Sequence, residues 1–136
     1  MSTAVVKEIM KKSPFTVQCQ TPLNEIVKTL VKTQQSQLPV VNQSNKLIGM
    51  VSQVDCHKAL LVSGYHCDQP VKVNNIMAES YPVLNPQDRL SEAAIKTQEE
   101  TADIFAVVEE DRLVGIVKRV DLLTLLNENL SLCSPA

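Results

Sequence analysis

Apolar positions along this chain follow two periods, and each period is written twice. After Pro22, Leu23, Ile26, Val27 and Leu30 recur at helical spacing, which predicts an amphipathic helix with one apolar face. "LPVVN" and "KLIGMVS" are short apolar runs joined by the turn residues "QSN", the signal of a β-hairpin. Further along, Asp88 is expected to open a second such helix, and "IFAVVE" and "RLVGIVK" flank "ED" as a second hairpin. A brief strand precedes each helix ("FTVQ", "YPVL"), and a helix closes each set ("QVDCHKALLVS", "RVDLLTLLNENL"). Short turns ending in "IM" open both sets. The linker "GYHCDQPVKV" carries Gly64 and Pro70 as breakers.

The two sets are copies. Gly49 and Gly115 stand 66 residues apart, as do Asp55 and Asp121. "KEIMKKSPFTV" matches "NNIMAESYPVL", and "TPLNEIVKTL" matches "DRLSEAAIKT". The repeats run over 1–66 and 67–136, each reading β-α-β-β-α. One unit of this size buries little apolar surface, so two units sharing a core give a physical reason for the duplication. The expected fold is α/β of the α+β type: two pseudo-twofold-related units packed through small mixed sheets. The N-terminal residues Met1 to Met10 are expected to cross onto the second unit, far from Val40.

Composition narrows the chemistry. At 136 residues with 44% hydrophobic but only 3% aromatic residues, the core must be aliphatic. A net charge of −2 with no Lys/Arg-rich run argues against a nucleic-acid partner. No apolar run reaches the roughly 18 residues of a membrane span, and the N-terminus lacks the apolar region of a secretory signal. A cytoplasmic protein without membrane partners is expected. Cys19, Cys56, Cys67 and Cys133 form no CxxC pair and suit reduced thiols.

Candidate chemistry concentrates where strand meets helix, in "GMVSQVDCHKAL" and "GIVKRVDLLTLL". Ser52 at the N-cap and Asp55 at N3 come close to a capping box, which accounts for both residues without any ligand. The same geometry suits an adenine nucleotide. A helix N-terminus favours phosphate, an acidic side chain one turn in accepts bonds from ribose hydroxyls, and "IM" and "LPVV" offer apolar walls. Gly49 admits a ligand or a neighbouring backbone at close range. The second corner puts Lys118 where the first has Ser52.

"LPVV" followed by G-h-h-S/T-x-x-D, with the repeated "IM", resembles a pair of cystathionine-β-synthase (CBS) domains, the Bateman module. The run from "VSQVDCHKALLVSGYHC" to "VNNIM" is similar to small stand-alone bacterial members, and the resemblance spans essentially all 136 residues. It implies no attached enzyme or channel, and two clefts for AMP, ADP, ATP, NAD or S-adenosylmethionine, with no required cofactor. The motif Asp would meet the ribose and the Ser/Thr the ribose or phosphate. Residues from a unit's start and from just before the "PVV" strand, often of the opposite unit, would pack on adenine. The first cleft would use Met50, Ser52 and Asp55 with Tyr81, Ala102 and Asp103. The second would use Ile116, Lys118 and Asp121 with Phe15, Gln35 and Ser36. Lys118 departs from the family pattern: it either blocks its cleft or reaches a phosphate, and blocking is the expectation, which makes the Ser52 corner the better site.

Two rival readings stand beside this one. Cys56, His57, His66 and Cys67 could form a metal or redox sensor, although adjacent Cys56 and His57 would point different ways on a helix and the spacing fits no common zinc motif. The pair could also be a non-binding dimerisation scaffold. Catalysis finds no support, since there is no Gly-rich phosphate loop, HExxH or GxSxG, and neither His has an obvious acid partner. Glu109–Asp111 reads as a solvated hairpin turn. Leu122, Leu123, Leu125, Leu126 and Leu130 cover more than one narrow stripe, so the last helix is deeply buried or meets another chain. The family habit of a disc-shaped dimer makes a homodimer the expected partner state.

Overall fold

Two three-stranded sheets organise the chain in the computed structural model, which describes residues 4–63 and 70–133. The first sheet holds β1 (Val17–Gln18), β2 (Gln37–Val41) and β3 (Leu47–Ser52) in that order, with α2 (Leu23–Thr33) between β1 and β2 and α3 (Gln53–Ser63) after β3. The second holds β4 (Val83–Leu84), β5 (Ile104–Glu109) and β6 (Arg112–Lys118), with α4 (Leu90–Thr97) and α5 (Arg119–Cys133) placed likewise. Both are mixed sheets in the expected β-α-β-β-α order: β1 runs parallel to β2, β4 parallel to β5, and β2 antiparallel to β3. The one-turn α1 (Val6–Ile9) ends within the first Ile-Met pair, and a 3-10 turn at Val73–Asn75 precedes the second.

In space the chain clusters as two compact units whose boundaries differ from those of the sequence repeats. Residues 15–63, 70–81 and 111–113 form one, hereafter the Ser52 unit. Residues 4–14, 82–110 and 114–133 form the other, the Lys118 unit. The N-terminal segment thus belongs with the second repeat, as expected for its described residues. Val6 N donates to Asp88 O at 2.8 Å, and Lys11 pairs with Ile116. The matching segment of the second repeat belongs with the first sheet: Val73 N donates to Thr21 O at 2.9 Å, and Ala78 pairs with Met50. Residues 64–69 of the expected linker lie outside the described residues.

Each unit has its own core, largely aliphatic, with Phe105 added in the Lys118 unit. Leu23, Ile26 and Leu30 of α2 pack with Leu38, Val40, Val51 and Val73. Leu90 and Ala93 of α4 pack with Val6, Phe105, Val107 and Val117. Burial of such side chains, about 1.5–3 kcal/mol for each large one, selects the helical face read from the sequence.

Local details depart from the sequence reading where hydrogen bonding decides. Helix α4 opens at Arg89, one residue past Asp88: Arg89 N donates to Glu92 Oε1 at 3.2 Å, while Asp88 accepts from Asn85 N and from Lys96 Nζ. The brief strands keep only the last two residues of "FTVQ" and "YPVL", the ones that register with Val40–Val41 and Ala106–Val107. Leu38 and Val40 of "LPVV" are fully buried in the core and line no open wall. At Glu110 and Asp111 both φ angles are positive, 52° and 67°, which closes the second hairpin in two exposed residues.

Candidate functional site

Strand β3 ends at Ser52, opposite Gln37 of β2, and α3 starts at the next residue. Ser52 Oγ accepts from the Asp55 amide at 3.1 Å, and Asp55 Oδ2 accepts from the Ser52 amide at 3.0 Å. This reciprocal pair is the capping box expected from the sequence. It satisfies two amides at the corner and fixes the Asp55 carboxylate. Asp55 also borders a cavity of about 390 Å³ together with Lys58, Ala59, Val62, Val71 and Ile76. That volume falls within the range of small-molecule pockets, and the polar Asp55, Lys58 and Asn75 set among the aliphatic Ala59, Val62, Val71 and Ile76 are the mixed composition such pockets show.

The loop before β2 is tied to the same corner. Helix α2 ends in the left-handed region at Gln34 (φ 59°), turning the chain so that Gln35 and Ser36 approach α3. Gln53 N donates to Ser36 O at 2.9 Å and Gln53 Nε2 to Gln35 O at 2.8 Å. The Gln35 side chain is buried and donates to Gln37 O. In the other unit, Arg119 N donates to Asp103 O at 2.8 Å and Arg119 Nε to Ala102 O at 3.2 Å, with the guanidinium 5.1 Å from the Phe105 ring centroid. Gln53 and Arg119, the first residues of their helices, therefore do the same work. The sequence reading missed both, although the 66-residue offset aligns them.

Gly49 and Gly115 serve a neighbouring segment of the chain. A Cβ on Gly49 would lie 2.5 Å from Met77 Sδ, and one on Gly115 would lie 2.8 Å from Met10 Sδ and 2.9 Å from Lys11 O. The "IM" methionines thus lie across the glycines, while Ile76 reaches the Asp55 cavity.

Of the residues expected at the first cleft, Met50, Ser52, Asp55 and Tyr81 fall in the Ser52 unit, and Ala102 and Asp103 in the Lys118 unit. Of those expected at the second, Ile116, Lys118 and Asp121 fall in the Lys118 unit, and Phe15, Gln35 and Ser36 in the Ser52 unit. Within each unit the structure gathers the corner and that unit's own pre-strand residues. Phe15 and Tyr81 occupy matching places two residues before β1 and β4. Phe15 is exposed and Tyr81 half-buried, and burial pushes the Tyr81 phenol above its ordinary value.

Lys118 ends β6 as Ser52 ends β3. Contact with the Lys11 side chain, followed by burial, holds its ammonium below the usual lysine range, against the pull of Asp121. Lys11 stands beside this corner, and the sequence reading did not single it out.

Cys56 is buried in the core while neighbouring His57 is exposed, and burial, with a smaller contribution from the Asp55 charge, pushes the Cys56 thiol up. His66 and Cys67 lie outside the described residues. Among the described residues no three His, Cys, Asp or Glu side chains gather as a metal site, and no helix is long and apolar enough to cross a membrane. Each unit also has an apolar groove between its two helices. One, of about 450 Å³, is lined by Val31, Cys56 and Leu60 among others, and the second, of about 350 Å³, by Ile95, Leu122, Leu123 and Leu126 among others.

Known proteins share this fold. The family model of the CBS domain matches residues 6–62 and again residues 73–128. A candidate acetoin utilization protein (AcuB) of Vibrio cholerae is similar in structure with a TM-score of 0.81, at 28% identity, covering 99% of this chain and 100% of that one. The CBS domain pair of protein MJ0100, solved in complex with 5′-methylthioadenosine and S-adenosyl-L-methionine, has a TM-score of 0.78 at 26% identity, covering 94% of this chain and 99% of that one. An uncharacterized protein of Methanocaldococcus jannaschii is 27% identical over 124 residues, which are 91% of this chain and 43% of the relative. The chain spans less than half the length of the first curated relatives it matches.

Proposed function

The chain belongs to the CBS domain family, and from that premise we propose that it is a regulatory module that binds an adenosine-containing ligand and carries out no chemistry of its own. The ligand class comprises AMP, ADP, ATP, NAD and S-adenosylmethionine. The observation that carries this reading is the Ser52–Asp55 corner. A carboxylate fixed by its own helix cap borders a cavity with aliphatic side chains in its lining, so Asp55 can accept bonds from a ribose diol while the base packs on apolar side chains. The adenosine compounds bound by the similar MJ0100 pair support the class.

Met50, Ser52, Asp55 and Tyr81, with Ala102 and Asp103, make up the first proposed ligand set. Ile116, Lys118 and Asp121, with Phe15, Gln35 and Ser36, make up the second. Gln53 and Arg119 are positioning residues that hold the pre-strand loops. We place the protein in the cytoplasm, where its separated cysteines stay reduced. As its partner state we propose a homodimer formed through the exposed leucines of α5.

Isothermal titration calorimetry with AMP, ATP, NAD, S-adenosylmethionine and adenosine tests the reading. At least one should bind, and Asp55→Ala should weaken binding of uncharged adenosine at least about tenfold. Absence of binding by the whole panel up to about 1 mM defeats it.

A further inference from the structure

The two corners differ at a second position besides Ser52 and Lys118. Met50 and Ala78 exchange both backbone hydrogen bonds, at 3.0 and 2.8 Å. Ile116 and Lys11 do the same, at 3.1 and 2.8 Å. Ala78 and Lys11 each follow the methionine of an "IM" pair, so they hold equivalent places, one residue across and two residues back from the corner. One corner therefore combines Ala78 with Ser52, and the other combines Lys11 with Lys118. The two positions differ in the same sense, small and neutral at one corner and long and cationic at the other.

The Lys11–Ile116 bridge sets Lys11 two residues back from Lys118 across the pair, and Lys11 holds the Lys118 ammonium below the usual lysine range against the pull of Asp121. A lysine that served only to fill a ribose pocket would gain nothing from a second ammonium against it. Like charges in contact destabilise the fold, and a polyanion between them turns that repulsion into two charge-assisted bonds. Lysine has no acceptor with which to cap α5, so the exchange of Ser for Lys sacrifices the cap that the first corner keeps.

Building on the adenosine-ligand reading of both corners, we infer that the Lys11–Lys118 corner selects a polyphosphate ligand, an adenosine di- or triphosphate, while the Ala78–Ser52 corner selects an adenosine compound with little negative charge. The ammonium pair grips the phosphates and Asp121 faces the ribose, as Asp55 does in the other unit. Of the two outcomes open to it, Lys118 takes the reach to a phosphate in place of blocking.

The test uses the full chain carrying Asp55→Ala, which silences the first corner, titrated by calorimetry with adenosine, ATP and inorganic tripolyphosphate at fixed ionic strength. ATP should bind at least about tenfold tighter than adenosine. Adding Lys11→Ala and Lys118→Ser should bring the ratio close to one. Lys118→Arg, which keeps the charge, should retain the preference, and Lys118→Gln should lose most of it; these two single variants decide the matter if the multiple variant does not fold. A preference that survives loss of both lysines overturns the inference. So does a first-corner variant that binds neither ligand although the wild type binds adenosine, and in that case the adenosine reading of the first corner stands. If no nucleoside binds even the wild type, the adenosine reading fails. Tripolyphosphate binding that depends on both lysines then still upholds the anion site, and its absence overturns that too.

Discussion

Ser52 and Asp55 cap one another: the hydroxyl of the first accepts the amide of the second at 3.1 Å, and the carboxylate of the second accepts the amide of the first at 3.0 Å. The same two side chains are the proposed ribose ligands, so stability and binding are coupled at this corner. Ser52→Ala should lower the stability of the fold by about 1 kcal/mol, the usual effect of losing an N-cap. Asp55→Asn keeps an oxygen for the Ser52 amide and loses the carboxylate, so it should weaken adenosine binding by more than it lowers the melting temperature. A urea titration read beside calorimetry separates the two effects. Equal proportional losses of stability and affinity in both variants would show that capping is the whole role of the pair.

Lys118→Ser should stabilise the protein. It restores an N-cap to α5, worth about 1 kcal/mol, and removes a cation held against Lys11. The pH dependence has a definite sign. The folded-state pKa of Lys118 lies below its ordinary 10.5, so between the two values the unfolded chain holds a proton that the folded chain has released. Wild-type stability contributed by this group therefore rises with pH through that window, and the repulsion is fully present below it. Thermal melts of both proteins from neutral pH upward should show the advantage of Lys118→Ser shrinking as pH approaches 10.5. A stability gain here accompanied by loss of ATP preference would be a trade of stability for function.

What the sequence disclosed follows from which forces are local. The β-α-β-β-α order, the "ED" turn and the span of α3 could be read because apolar period and turn chemistry depend on near neighbours. The cap at Ser52 could be read because N-cap and N3 are three residues apart. The start of α4 was misplaced by one residue because Asp88 and Arg89 both precede an apolar run, and the choice falls to Glu92 and Lys96 further along. Lys11 could not be found from local pattern, since its partner Ile116 lies on the far side of the sequence and the pairing is made in space. The repeat itself held the clue, because Lys11 and Ala78 align behind Met10 and Met77.

The glycines make a prediction that separates flexible from rigid neighbours. A Cβ on Gly49 would meet Met77 Sδ and Cγ at 2.5 and 2.9 Å and the Ala78 carbonyl at 3.1 Å. One on Gly115 would meet Met10 Sδ at 2.8 Å and the Lys11 carbonyl at 2.9 Å. A thioether can rotate aside, whereas the Lys11 carbonyl, which accepts from Ile116 N in the backbone bridge, moves only with the backbone. Gly115→Ala should therefore destabilise more than Gly49→Ala, with overpacking losses of roughly 1–3 kcal/mol. Adding Met77→Ala should relieve most of the Gly49→Ala strain, and Met10→Ala little of the Gly115→Ala strain. A double-mutant cycle by denaturant unfolding measures both couplings, and equal couplings would contradict the assignment.

Leu122 is buried against the core of its unit, but Leu123, Leu126 and Leu130 of the same helix are 57, 38 and 67% exposed, beside Ile95 at 67% on α4. The sequence expectation of a wide apolar helix is thus met by one side turned inward and another left bare among the described residues. Several large aliphatic side chains on one helix pair form a larger apolar patch than single scattered residues make, and a second copy of the chain is the partner that would cover it. The protein should be a dimer at micromolar concentration, with a melting temperature that falls on dilution. Leu126→Glu would bury a carboxylate in that interface and should yield monomers by light scattering, while circular dichroism keeps its helical signal because Leu126 lies outside the unit's core. Leu122→Glu should instead unfold the unit. A wild-type protein that scatters as a monomer, with a melting temperature independent of concentration, would remove the homodimer and leave the exposed face to a different partner.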